Sequence, residues 1–159
     1  MTSLKALMFP TVLAVVAALP AVAQEVAAQD TPPACDQRFA ALDTDGNGFL
    51  SEDEAPAIYA RMRLDGTTVA ETGYTAADYL AACEAGTFER TAPEEGAPFA
   101  GANSFTEEQA RDRAVAWGYG DVSALTLDDE GIWRGTARDQ DAAVNLAIDF
   151  KGNVVATPN

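Results

Sequence analysis

The residues most able to do chemistry lie in one short stretch, DTDGNGFLSEDE, which runs from Asp43 to Glu54. Five of its twelve side chains are carboxylates and two of its residues are glycines. Like charges placed so close together repel one another unless something compensates them. Two explanations are open: a solvated acidic turn, or an oxygen-rich loop that binds a cation.

The spacing of the polar side chains favours the bound cation. Asp43, Asp45 and Asn47 alternate along the chain, so that their oxygens can converge on one point. Gly48 follows, and a glycine permits the sharp reversal that such a loop needs. Calcium is a hard ion that takes about six to eight oxygen ligands. A solvated turn with a capping box would explain Ser51 and Glu54, but not the alternation that ends in a glycine.

The stretch matches the pattern D-x-[DN]-x-[DN]-G-x5-E at every defined position and resembles the calcium loop of the EF-hand family. The resemblance implies calcium as the cofactor. Three carboxylates among the ligands and an exported location lead us to expect an affinity on the order of 10⁻⁵ to 10⁻³ M. The resemblance also implies a ligand set: Asp43, Asp45, Asn47, Phe49 through its backbone carbonyl, Ser51 at a position often bridged by water, and Glu54. Leu50 is expected to anchor the loop to the core.

Helical patterns surround the loop over residues 34–42, 51–64 and 75–86. Ile58, Tyr59 and Met62 form the apolar stripe of the second pattern, and Thr75 is the expected cap of the third. Ser51 and Glu54 form a capping box at the start of the second pattern, where Glu52 and Asp53 would be first-turn residues favoured by the helix dipole. Pro56 lies just past that turn, so the second helix is expected to kink or restart there.

A second, degraded copy of the loop follows the first after about 22 residues. It begins at Leu64-Asp65 and ends at Asp78, but it is two residues longer and lacks the alternating ligands. Asp65, Glu71 and Asp78 could meet a second cation. The favoured interpretation is a structural partner that completes the fold.

The N-terminus has the organisation of a secretory signal peptide over residues 1–23. Lys5 precedes an apolar run over 6–19, and Ala-Val-Ala stands before Gln24 as a cleavage site. A transmembrane anchor is the alternative, but the run is shorter than the roughly 20 apolar residues that a span needs. We therefore expect an exported protein, periplasmic or secreted, with no stable membrane anchor after cleavage and a disordered leader over 24–33.

Cysteine usage agrees with export. Cys35 and Cys83 are the two cysteines, and in an oxidising compartment an even count favours a disulfide over two buried thiols. The chain has no histidine, so a zinc site is not expected. In paired EF-hands the first and last helices pack together, and the resemblance implies that this bridge clamps the unit.

The expected fold class is α+β, with a helical EF-hand unit over 34–85, a linker over 86–104 and a small helix-plus-antiparallel-sheet domain over 105–159. In the last region Thr106 and Gln109 form a capping box, and strand patterns follow over 122–127, 132–138, 142–150 and 154–157. The third strand pattern alternates so that one face carries Val144, Leu146, Ile148 and Phe150. The order and the ending AIDFKGNVVA resemble PepSY and PepSY-like domains. That resemblance implies an extracytoplasmic binding or peptidase-inhibitory module without catalytic residues. An unrelated small α+β domain is the alternative.

The formal net charge of −15 repels nucleic acid and attracts divalent cations and basic partners. Without histidine or a G-x-S-x-G motif, the chain is not expected to be an enzyme. The favoured hypothesis is an exported calcium-binding protein whose 43–54 loop is coupled to a C-terminal interaction module. The alternative is an extracytoplasmic peptidase inhibitor or regulator, with a basic protein or a peptidase as its partner.

Overall fold

The computed structural model describes residues 34–69 and 71–159. Over these residues the fold is α+β, as predicted, with four helices and two antiparallel sheets. The predicted signal peptide and leader lie outside the described residues. Within the described part of the chain, no helix combines the length and the apolar character that crossing a membrane requires.

The first half of the described chain carries three helices and two very short strands: α1 Cys35–Leu42, β1 Phe49–Leu50, α2 Pro56–Leu64, β2 Tyr74–Thr75 and α3 Ala76–Glu84. The second half carries one helix and four strands: α4 Glu107–Ala116, β3 Thr126–Leu127, β4 Trp133–Asp139, β5 Ala142–Ile148 and β6 Val154–Pro158.

Helix α2 begins later than the sequence pattern indicates. A helical start at Ser51 is wrong, because residues 52–54 form a turn, but the restart expected at Pro56 is confirmed, since Pro56 is the first helical residue. The turn closes locally, since Ser51 Oγ accepts the N–H of Glu54 at 3.3 Å and the N–H of Ala55 donates to the Ser51 carbonyl at 3.0 Å. Proline suits the first helical position, where its missing N–H would have no intrahelical partner.

The other two predicted caps are confirmed. Thr75 accepts the N–H of Asp78 at 3.1 Å at the start of α3. Thr106 and Gln109 form a reciprocal box at the start of α4, with the two hydrogen bonds at 3.0 and 3.2 Å. Each cap satisfies backbone N–H groups that the first helical turn leaves without partners.

The larger sheet is an antiparallel meander in the order β3-β4-β5-β6. Val144, Leu146 and Ile148 alternate along β5 and are buried against α4. The prediction that Phe150 continues this stripe is wrong, because β5 ends at Ile148 and Phe150 is 36% exposed. The strand predicted over 122–127 is reduced to the two residues of β3.

The described residues belong to one compact unit with two clusters of buried side chains. One lies between α4 and the meander, and the other lies among α1, α2, α3 and β1. Helix α2 packs along α4 and joins them. The division into an N-terminal unit over 34–85 and a C-terminal domain over 105–159 stays a prediction.

The segment over 86–104 contains neither helix nor strand, yet it is held closely to the second half of the protein. The N–H of Phe99 donates to the buried carboxylate of Asp149 at 3.0 Å, and the N–H of Glu94 donates to Asn153 Oδ1 at 3.0 Å. The N–H of Gly101 donates to a carbonyl in the β3–β4 turn at 2.9 Å. These bonds order the segment over one end of the meander, and we call residues 86–104 the strap.

Candidate metal site

The acidic loop begins where α1 ends, and Asp43 organises its first half. The N–H of Asp43 donates to the carbonyl of Phe39 at 2.9 Å, which closes the last turn of α1. Its carboxylate accepts the N–H groups of Asn47 at 3.1 Å and of Gly48 at 3.0 Å. Gly48 has φ +83°, a left-handed conformation that a residue with a Cβ adopts only at a cost. The reversal predicted at this glycine is therefore present.

Glu54 closes the loop from its other end. One carboxylate oxygen accepts the N–H and the hydroxyl of Thr44, at 2.9 and 3.0 Å. The other accepts the N–H and the hydroxyl of Ser51, at 3.0 and 2.8 Å. The hydrogen bond from the Ser51 N–H, followed by those from the Ser51 and Thr44 hydroxyls, lowers the pKa of Glu54 from 4.5 to about 2. This side chain is therefore ionised at neutral pH.

Three carboxylates meet in the loop. Ligand oxygens of Asp43, Asp45 and Glu54 all lie within 4.8 Å of one another. Only oxygen donors are present in the group, which is the donor set that Ca²⁺ and Mg²⁺ prefer and that soft metals do not. The arrangement brings together the first, second and last of the side chains that the sequence pattern indicates as ligands.

The remaining predicted ligands stand around this group. The Asn47 amide donates to Asp45 Oδ2 at 2.7 Å and accepts the N–H of Phe49 at 2.7 Å, so it lies beside the acidic group. Phe49 is in β1, and Ser51 follows that strand with its hydroxyl on Glu54. Ligation by Asn47, Phe49 and Ser51 stays a prediction.

The loop is anchored to a cluster of buried side chains through Leu50. Leu50 is fully buried among the side chains of α2 and α3, as its expected role as anchor requires. Its partner in the short sheet is Tyr74 of the second loop. The hydroxyl of Tyr59 donates to the Leu50 carbonyl at 2.8 Å, a contact that sequence reasoning missed because it assigned Tyr59 to the apolar stripe of α2.

The role expected for Glu52 and Asp53 is wrong. Because α2 begins at Pro56, neither residue lies in its first turn. The Glu52 carboxylate instead accepts from Arg63 Nη1 at 2.5 Å. Arg63 continues to Asp112 in α4, so one arginine joins the acidic loop to the second half of the protein. No local sequence signal indicates this contact, which spans 49 residues between Arg63 and Asp112.

The second loop places its acidic residues differently. Asp65 and Asp78 line one cavity of about 630 Å³, while Glu71 lines another beside Ser51 and Asn47. The carboxylate of Asp78 accepts the hydroxyl of Thr75 at 2.6 Å. Over the described ranges 34–69 and 71–159, three acidic side chains come close enough to hold an ion in the first loop, and no such group of three includes Asp65, Glu71 or Asp78.

A disulfide joins Cys35 at the start of α1 to Cys83 near the end of α3, as predicted, with 5.9 Å between the Cα atoms. Phe39 and Tyr79 meet beside it with their rings 5.6 Å apart. The bond ties together the two helices on either side of both loops. It is compatible with an oxidising, exported compartment.

Fold and site together define an α+β protein with one disulfide, one ordered strap and one oxygen-rich acidic loop. Comparison of the chain with protein-family models, curated proteins and solved structures gives no match.

Proposed function

We propose that this is an exported calcium-binding protein whose loop over 43–54 takes one Ca²⁺ and is coupled to an interaction module over 105–159. The observation that carries the proposal is the convergence of the Asp43, Asp45 and Glu54 oxygens within 4.8 Å. Three negative charges this close repel one another, and a divalent cation compensates them.

The chemistry of the loop fits Ca²⁺ better than Mg²⁺. Side-chain oxygens of Asp43, Asp45 and Asn47, together with both oxygens of Glu54, would supply most of its ligands. The Phe49 carbonyl and a water beside Ser51 would add the rest. Mg²⁺ demands octahedral geometry and keeps several of its own waters, whereas Ca²⁺ accepts a larger and less regular oxygen shell.

Binding at this place would stabilise the fold. The ligands come from the end of α1 and from the turn before α2, so an ion held by both fixes one helix relative to the other. Any ligand that binds only the folded state stabilises it by mass action, by about 2.7 kcal/mol at a hundredfold excess over its Kd. Glu52, inside the loop, pairs with Arg63 and so provides a contact path to α4.

Export is supported by the disulfide and by the signal-peptide pattern of the sequence. The interaction module is supported by the outer face of the meander. On this face Arg134, Thr136, Arg138 and Asn145 are exposed, while the opposite face packs on α4. Mass spectrometry of the secreted protein would test the export proposal, which requires a chain that begins near Gln24 and contains the disulfide.

Calorimetric titration of Ca²⁺ into the purified, chelator-treated protein tests the binding site. We expect one site in the wild type and its loss in Glu54→Gln. The matched control is Asp53→Asn, which removes one adjacent exposed carboxylate outside the ligand pattern and should leave the site intact. No heat of binding up to about 5 mM Ca²⁺ would contradict the proposal, because that concentration exceeds the weakest affinity expected of such a loop.

A further inference from the structure

A second candidate site lies between α2 and the end of α4, beside Leu42, the last residue before the acidic loop. It is a cavity of about 280 Å³, close to the lower end of the size range of ligand pockets. Its apolar walls include Leu42, Ile58, Tyr79, Phe88 and Trp117. Tyr79 and Phe88 stack with their ring centroids 5.2 Å apart, so one wall is a continuous aromatic surface.

The charge of this cavity is opposite to that of the protein. Arg61 and Arg90 line it, and no acidic side chain of the described residues does so. In a chain with a formal net charge of −15, two arginines thus line one largely apolar cavity. Arg61 also lines the larger cavity that contains Asp65 and Asp78. Low-dielectric walls strengthen the field that guanidinium groups exert on a small anion.

Arg61 is the better placed of the two cations to receive an anion. Among the described residues, no carboxylate lies within 4.0 Å of its guanidinium nitrogens. Its Nη2 donates to the Ala116 carbonyl at 3.4 Å, which holds the group at the end of α4. A guanidinium has five N–H donors, so this one bond leaves others for a ligand.

Arg90 also lines this cavity, but unlike Arg61 it already has a carboxylate partner. It pairs with Asp139 at 3.3 Å, and its guanidinium lies 4.7 Å from the centre of the Tyr119 ring. Both side chains of this pair are more than a third exposed, so the pair is weak and Arg90 adds a long-range attraction.

The apolar space continues beyond the cavity. A neighbouring cavity of about 200 Å³ shares Leu42, Ala57, Ile58 and Gly118 with the first, and it is also lined by Val115 and by Glu54 of the acidic loop. Because Glu54 would repel an anion, the charged end of a ligand belongs in the first cavity, beside Arg61, and only an apolar end would extend into the second.

We propose that the cavity between α2 and α4 binds a small organic carboxylate with an apolar or aromatic body. The carboxylate would accept from Arg61 by charge-assisted hydrogen bonds, which are the strong class of such bonds. The body would cover Ile58 and the stacked rings of Tyr79 and Phe88. None of the proposed loop ligands lines the cavity of about 280 Å³ itself, whereas Glu54, one of those ligands, lines the neighbouring cavity.

The test uses 3-phenylpropionate as the probe and its neutral analogue 3-phenylpropionamide as the control, titrated into the purified protein and followed by NMR. We expect the Arg61 side-chain N–H and the Trp117 indole resonances to shift with a Kd on the order of 1 mM for the acid. The amide should bind about tenfold more weakly, because it brings the same ring without the charge.

Two variants separate the charge from the cavity. Arg61→Gln should weaken the acid about tenfold, while Arg134→Gln, the same charge change on the outer face of the sheet, should leave its affinity unchanged. Ala57→Phe fills the cavity but keeps both arginines, and it should abolish binding of acid and amide alike. Circular dichroism confirms that each variant is folded.

Three outcomes would overturn the proposal. These are equal affinities for acid and amide, unchanged binding in folded Ala57→Phe, and no shift of the named resonances up to about 10 mM acid.

Discussion

Arg63 is the residue whose removal should reveal most about how the two halves of the protein are joined. Its Nε and Nη2 donate to the two oxygens of Asp112 at 3.0 and 2.7 Å, while Nη1 donates to Glu52 at 2.5 Å. The side chain of Asp112 is 9% exposed, whereas those of Arg63 and Glu52 are 42% and 57% exposed. The hydrogen bonding of Arg63 to the Asp112 carboxylate is the largest cause that raises the pKa of Arg63.

Breaking the pair with Asp112 and breaking the pair with Glu52 should change the free energy of unfolding by very different amounts. Arg63→Met leaves the buried carboxylate of Asp112 without its cation, a loss of about 3–5 kcal/mol where a pair is wholly buried. Water reaches the exposed part of Arg63, so we discount this to about 2 kcal/mol of unfolding free energy. Glu52→Gln breaks only the exposed pair and should cost at most about 0.5 kcal/mol.

Urea denaturation of the oxidised protein, with Ca²⁺ held fixed, measures these differences from the midpoints at constant m-value. Arg63→Met combined with Asp112→Leu completes a double-mutant cycle and should recover part of the loss, because no buried charge then remains without a partner. A cost below about 0.5 kcal/mol for Arg63→Met, or an equal cost for Glu52→Gln, would refute this account of the contact.

Three further predictions concern the framework around the site. Asp149 is fully buried, and although burial raises its pKa, the N–H groups of Phe99, Asn153 and Lys151 and the Asn153 amide together lower it below the ordinary 3.8. Its stabilising effect is therefore present above that value and lost as pH falls through the folded pKa, so Asp149→Ala should cost about 2–3 kcal/mol at pH 7 and less at pH 3 in urea titrations. Replacing Cys35 and Cys83 by serine opens a loop with a sequence separation of 48, which should cost about 3–4 kcal/mol. An unchanged midpoint under reducing conditions would contradict this. Gly131→Ala would place a Cβ against the Gly101 carbonyl, at a residue whose φ is +76°. Thermal unfolding should therefore show that the free energy of unfolding falls by at least about 2 kcal/mol. Gly120→Ala is the control, because a Cβ there meets open space.

Features that depend on neighbouring residues could be predicted from the sequence. The caps at Thr75 and Thr106 each need a partner only three residues away. The reversal at Gly48 follows from the conformational freedom of glycine, and the disulfide follows from two cysteines in a chain with an export signal pattern. The fold class follows from hydrophobic periodicity, because helices and strands expose their faces at different spacings.

Boundaries and long-range contacts were where prediction failed. The capping box of Ser51 and Glu54 is present, but it closes a turn, and Pro56 decides where the helix begins. The alternation of apolar residues placed Phe150 on the buried face of β5, because a sequence pattern does not show that the pairing with β6 ends at Ile148. Both errors arise where a local pattern is compatible with two backbone paths and packing selects between them.

The sequence alone determined which oxygen donors the acidic loop offers, since its candidate ligands lie within twelve residues. Short-range hydrogen bonds then bring Asp43 and Glu54 together. Only the tertiary structure decided what surrounds the loop. The link through Arg63, the strap on Asp149 and the positive cavity beside Arg61 join residues about fifty positions apart. Such contacts exist only when α2 lies along α4 and the strap lies on the meander, because their geometry depends on every backbone angle between the partners.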